Sequence, residues 1–126
     1  MSLRSPLGRV LGLGSAKEGT GHWWGQRVSA AALVLLGCWF AVAMAHLHVA
    51  DYEDVIAFIA MPMHSVLLIL LCATLAYHSW LGVQVVIEDY IHAPVAKITL
   101  LTLSRFVHVL VAVASIYAIL RIGISA

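Results

Sequence analysis

Charge is sparse in this chain. Lys and Arg number seven and Asp and Glu six in 126 residues, 10% of the total, for a net charge of +1. No basic patch exists to neutralise a phosphate backbone, which excludes a nucleic-acid partner. Cysteine is limited to Cys38 and Cys72. Both fall in apolar segments, where a thiol behaves as a small hydrophobe rather than as a disulfide partner or metal ligand, so they assign no redox compartment. Gly12-Leu13-Gly14 is followed by no Gly-Lys-Ser/Thr and preceded by no strand pattern, which excludes a phosphate loop. There is also no internal repeat and no low-complexity tract.

What the chain has in abundance is apolar sequence: 63% hydrophobic residues and a mean hydropathy of +1.00. That composition belongs to a membrane protein, in which the bilayer takes up surface that a soluble domain would have to bury. Three apolar segments stand out, about 24–45, 63–87 and 100–122. Each matches the roughly 20 residues that a helix needs to cross ~30 Å of hydrocarbon. The predicted fold is therefore all-α with three transmembrane helices, divided into an N-terminal arm, 1–22, and an anchor domain, 23–126. Ala43-Met44-Ala45 resembles a small-residue cleavage site, but the polar leader ahead of it is long for a signal peptide, and the first span is expected to be retained.

The charges that are present orient the spans. Arg4, Arg9, Lys17 and Arg27 come before or at the start of the first span, whereas Asp51, Glu53 and Asp54 occupy the first loop without a Lys or Arg. By the positive-inside rule the N-terminus is expected to be cytoplasmic and the C-terminus outside. Lys97 in the second loop and Arg105 soon after it agree; Arg121 near the C-terminus dissents, as one snorkelling residue can. Pro62 and Pro94 suit the first turns of the second and third spans. The short apolar run 55–60 between the first two spans is expected to lie along the outer surface, and a short second loop, about 88–93, makes the helices beside it antiparallel neighbours.

The seven histidines sort by depth. His46, His48 and His64 fall at the outer ends of spans and His22 and His92 in cytoplasmic interfacial stretches, where solvation is the expectation. His78 precedes Asp89 by eleven residues, about 16 Å of helix, and His108 follows Leu100 by eight, about 12 Å, so both are expected inside hydrocarbon at similar depth. An intramembrane imidazole either ligates a metal or haem or bonds between helices. A low-spin haem needs two axial ligands and cations or donors for its propionates near the water boundary. Arg27 and Arg105 lie toward that boundary, where snorkelling to headgroup phosphates is the other reading.

At the same boundary, Glu88 and Asp89 close the second span against the unfavourable end of its dipole, so at least one is expected to face a cation: Arg27, Lys97 or one from another chain. Tyr90 adds an interfacial phenol, either a belt residue or a donor to a carbonyl such as that of a quinone.

The stretch His78-x-Trp80-x-Gly82 followed by Asp89-Tyr90, with Arg27-Val28-Ser29-Ala30 opening the first span, resembles the hydrophobic membrane anchor, of the small cytochrome b type, of bacterial succinate dehydrogenase. The resemblance covers nearly the whole chain and is most specific from His78 to Tyr90. It implies a membrane protein that pairs with a second membrane anchor subunit, shares one haem b with it, and docks an iron-sulfur subunit and a flavoprotein on the cytoplasmic face of the bacterial inner membrane. It also implies His78 as an axial haem ligand, with the other ligand from the second anchor, and Arg27 near a propionate. Tyr90 is then the hydrogen-bond donor to ubiquinone, with Asp89 as its acidic neighbour.

Three alternatives accompany that reading. His78 and His108 together could clamp a haem within one chain; the anchor could serve a fumarate reductase; or the chain could be a non-redox scaffold or transport component in which His78 merely bonds between helices.

Overall fold

The computed structural model describes residues 19–47 and 51–125. Most of the N-terminal arm, residues 1–18, and His48 lie outside them. Four helices follow in order: α1 (Gly19–His46), α2 (Tyr52–Ala60), α3 (Pro62–Tyr90) and α4 (Pro94–Ser125). Helices α1, α3 and α4 are the three that are long and apolar enough to cross a membrane.

At 28, 29 and 32 residues the three span roughly 42 to 48 Å, more than the ~30 Å of hydrocarbon, so their ends reach into the headgroup layer or the helices tilt. Each therefore overruns its expected span. The hydropathy edge marks where lipid begins, whereas the helix continues through the interface until a cap or a proline stops it. Pro62 at the first turn of α3 holds Met61 in extended backbone, φ −62° and ψ 124°, so a single residue separates α2 from α3. At the other end Ile91 is extended and its N–H donates to Ile87 O at 3.0 Å, closing α3 three residues before Pro94 opens α4.

The run expected along the outer surface is a helix in its own right. Asp51 caps α2 reciprocally with Asp54: Asp54 N–H donates to Asp51 Oδ1 at 3.0 Å, and Asp51 N–H to Asp54 Oδ2 at 3.3 Å. The acidic first turn, Glu53 and Asp54, faces the positive end of the helix dipole. Helix α2 packs on α3 and α4, and its Phe58 stacks on His64 of α3, centroids 3.9 Å apart, with Trp39 of α1 at 6.3 Å from Phe58. His64 thus departs from the solvated expectation. It is half-buried and its Nδ1–H donates to Phe58 O at 2.9 Å, because α2 folds back over the start of α3.

Helix α3 packs against α1 along one side and against α4 along another, while α1 and α4 do not meet. The three spans form an open row rather than a closed bundle. Among the described residues only Ser29, Ala43, Leu81 and Ile119 are buried. Such a chain has almost no core of its own; lipid and neighbouring subunits supply the apolar surroundings.

Candidate functional site

His78 sits in the seam between α1 and α3. Ser29 Oγ–H donates to Gly25 O, one turn earlier, at 2.7 Å. That leaves the Ser29 oxygen as acceptor for His78 Nδ1–H at 2.9 Å. The tautomer follows from this relay: with the proton on Nδ1, the lone pair is on Nε2, which lies 3.4 Å from the Gln26 side-chain amide. Ser29, 5% exposed, is the one buried polar residue among the described ones.

Close approach of the two helices makes the relay possible. A Cβ on Gly25 would stand 2.6 Å from Tyr77 Oη and 3.3 Å from Leu81 Cδ1. Leu81, 3% exposed, is the most enclosed apolar side chain described.

A metal-ligating histidine characteristically donates its second ring N–H to a fixed acceptor, which sets the tautomer and ring orientation. Ser29 is that acceptor for His78. Two further features belong to the same stretch of α1 and α3. Gln26 Oε1 and His22 Nε2, on neighbouring turns of α1, are buried without a hydrogen-bond partner. Gly82, one turn beyond His78, lies beside the same amide: a Cβ there would meet Gln26 Nε2 at 3.8 Å, an ordinary contact. The donor set at His78, with one ring nitrogen fixed by Ser29 and the other unprotonated, has the chemistry of a ligand to haem iron. His22, expected in a solvated stretch, is half-buried instead, because α1 starts at Gly19 and carries it into the seam.

Arg27 is exposed on α1, its guanidinium carbon 5.6 Å from the Trp23 ring centroid. Asp89 and Tyr90 end α3 and are exposed, Tyr90 by 77%. At 1.5 Å per residue Tyr90 lies ~18 Å along α3 from His78. Neither the Tyr90 hydroxyl nor the Asp89 carboxylate has a partner among the described residues.

Of the cations expected beside the acids, Arg27, Lys97 or one from another chain, Lys97 is the one that comes close, but it satisfies a carbonyl: Lys97 Nζ donates to Glu88 O at 2.8 Å. Glu88 Oε1 in turn accepts from Gln84 Nε2 at 2.8 Å. The lysine therefore caps the C-terminal end of α3 and leaves Asp89 free.

His108 belongs to the other seam. Its Nδ1–H donates to Ser104 O at 2.7 Å, which leaves Nε2 to accept from Ser79 Oγ–H at 3.1 Å. Both ring nitrogens are engaged within the α3–α4 seam, one by Ser104 of α4 and one by Ser79 of α3, whereas His78 is held in the α1–α3 seam, so the two imidazoles do not converge on one iron. The single-chain clamp finds no support in this geometry.

Gln26 and Ser29 were missed as site residues from sequence. Their signal was an i, i+3 polar pair in an otherwise apolar span, on the face that meets His78.

Compared with known proteins, residues 1–119 match the family described as succinate dehydrogenase/fumarate reductase transmembrane subunit. The chain is 33% identical over 120 residues to the succinate dehydrogenase hydrophobic membrane anchor subunit of Rickettsia bellii (strain RML369-C), covering 95% of this chain and 96% of that one. It is 31% identical over 122 residues to the subunit of the same name from Paracoccus denitrificans, covering 97% and 94%. The Rickettsia typhi subunit is 34% identical over 105 residues, covering 83% and 84%. No solved structure matches significantly.

Proposed function

The chain belongs to the succinate dehydrogenase/fumarate reductase transmembrane subunit family, and from that membership we propose that it holds one side of a haem b and part of a ubiquinone site for succinate oxidation. Its relatives are named hydrophobic membrane anchor subunits of succinate dehydrogenase, which puts it in the membrane part of an oxidoreductase complex. Those names favour succinate oxidation over fumarate reduction as its working direction.

The observation that carries the haem reading is the relay from His78 Nδ1–H to Ser29 to Gly25 O, which leaves Nε2 unprotonated beside the Gln26 amide, on a stretch of α1 where Gln26 Oε1 and His22 Nε2 are buried without a partner. His78 would hold the haem iron from this chain, and a second anchor subunit would supply the other ligand, since His108 is engaged elsewhere. Arg27, at the same end of α1 as Gln26, is the cation for a propionate. Haem b bound there supplies one-electron redox capacity near the quinone.

Tyr90 and Asp89 form the quinone-facing rim. The Tyr90 hydroxyl is unengaged and exposed, so it is free to donate to a quinone carbonyl, and Asp89 beside it is free to hold or pass the proton that reduction requires. This end of α3 lies on the cytoplasmic face of the bacterial inner membrane, with the N-terminus on the same side and the C-terminus periplasmic. There the iron-sulfur and flavoprotein subunits dock and deliver electrons from succinate to ubiquinone in the respiratory chain and the tricarboxylic acid cycle. The remaining quinone contacts come from the partner subunits.

The deciding experiment is the reduced-minus-oxidised optical spectrum of the assembled complex. His78→Ala is expected to abolish or shift the b-type bands; an unchanged spectrum removes His78 as a ligand, and no b-type band in the wild type removes the haem reading altogether.

A further inference from the structure

The seam between α3 and α4 holds a groove that the haem and quinone reading does not use. It encloses about 260 Å³ over a shallow apolar floor of Ala73, Ala76 and Ala112, with Tyr77, Trp80 and Arg105 around it. The Arg105 guanidinium carbon lies 5.3 Å from the centroid of the Trp80 ring. A second hollow continues past the same Trp80 and Arg105 to Gln84 and Thr102. Arg105 is exposed and forms no ion pair among the described residues.

Depth sharpens the chemistry. Arg105 is eleven residues into α4 and Trp80 ten residues from the end of α3, each about 16 Å along its helix. With the helix ends reaching into the headgroup layer, the Arg105 backbone lies inside hydrocarbon and its long side chain can extend back toward the headgroups. An unpaired cation there calls for an anion, and the alanine floor runs deeper into hydrocarbon beside His108, whose ring nitrogens are already engaged by Ser104 and Ser79.

The groove also opens away from the proposed haem pocket, a step that rests on the reading above. At ~100° per residue, Ala73 and Trp80 project on one face of α3, while Gly82 and Asp89 project on the opposite face, beside the Nε2 side of His78. A partner that shares the haem covers the second face and leaves the first to the bilayer.

We propose that this groove is a binding site for one anionic phospholipid, its phosphate on Arg105 against Trp80 and one acyl chain over Ala73, Ala76 and Ala112. The fixed cation selects an anionic over a zwitterionic headgroup, and the small side chains give the acyl chain its bed.

The test uses the detergent-extracted complex containing this chain, exchanged into mixed vesicles of phosphatidylglycerol and phosphatidylcholine, with retained lipid counted by native mass spectrometry. The wild type is expected to retain phosphatidylglycerol in preference. Arg105→Gln should lower that preference about five-fold, the worth of one basic side chain near the membrane surface. Ala73→Leu, a change at an exposed position that fills the floor, should lower retention with Arg105 intact.

An unchanged preference in Arg105→Gln, or unchanged retention in Ala73→Leu, overturns the proposal. So does a photo-crosslinker at position 73 that captures protein instead of lipid, because the groove is then a subunit interface. Optical spectra of the same samples separate the two readings. Loss of the b-type bands in Arg105→Gln would place the groove in the haem pocket and overturn the lipid site, whereas intact bands in His78→Ala would remove the haem reading and leave the lipid result standing.

Discussion

Ser29→Ala is the most discriminating perturbation of the His78 site, because it removes one oxygen with three jobs. Ser29 Oγ donates to Gly25 O at 2.7 Å, approaches Gln26 O at 3.2 Å and accepts from His78 Nδ1–H at 2.9 Å. The Gly25 carbonyl keeps its helical N–H partner, so its loss is small. The imidazole loses its only Nδ1 partner in a seam where Ser29 is 5% exposed.

A buried donor left without an acceptor costs about 1–3 kcal/mol. Interhelical hydrogen bonds in membranes average nearer ~0.6 kcal/mol, because the separated helices find other partners. On stability alone the change is therefore worth about 1 kcal/mol. The effect on ligation is larger: loss of the group that orients a metal-bound histidine typically lowers affinity 10- to 100-fold, or about 1.4–2.8 kcal/mol.

The assay is haem content per complex by pyridine haemochrome, with assembly followed separately by gel filtration. The expected result is an assembled complex that loses haem on dilution and shows a shifted haem potential. An assembled Ser29→Ala complex with wild-type haem retention and potential would refute the claim that Ser29 sets the His78 tautomer for ligation.

Three further outcomes are expected. Gly25→Ala drives a methyl against Tyr77 Oη at 2.6 Å and Leu81 Cδ1 at 3.3 Å and should cost about 1–3 kcal/mol, read as a lower thermal midpoint of the complex; adding Tyr77→Phe, which removes the offending oxygen, should recover part of it. Tyr90→Phe should lower quinone reductase turnover by 10-fold or more, the usual scale for one positioned proton donor, while leaving assembly and the haem spectrum unchanged; unaltered quinone kinetics would take Tyr90 out of the site. His108→Ala breaks the bonds to Ser104 and Ser79 and should soften the α3–α4 seam by about 1 kcal/mol with the optical spectrum intact, whereas loss of the haem bands would revive the single-chain clamp.

The spans were legible in the sequence because hydrocarbon thickness fixes a length, and Pro62 and Pro94 marked two of their starts. Helix α2 was legible only as an apolar run. Its reciprocal cap, Asp51 with Asp54, puts a second Asp where the usual signature has Glu or Gln, and nine residues are too few for a clear period. The site was half legible. His78, Asp89 and Tyr90 stand out because polar groups are rare in such segments, but the partnership of His78 with Ser29 spans 49 residues of sequence. Helices apolar on every side do not announce which face meets which neighbour. For the same reason His108 looked equivalent to His78 in depth, although the two occupy different seams.

The open row has a thermodynamic corollary. The α1–α3 and α3–α4 seams lie on different sides of α3, with Tyr77 reaching both, and the α1 backbone does not approach that of α4. Destabilising changes in the two seams, such as Gly25→Ala and His108→Ala, should therefore add to within about 0.3–0.5 kcal/mol in a double-mutant cycle. Energetic coupling between the two seams has two routes, through α3 directly or through α2, which sets Phe58 against Trp39 of α1 and packs on α4.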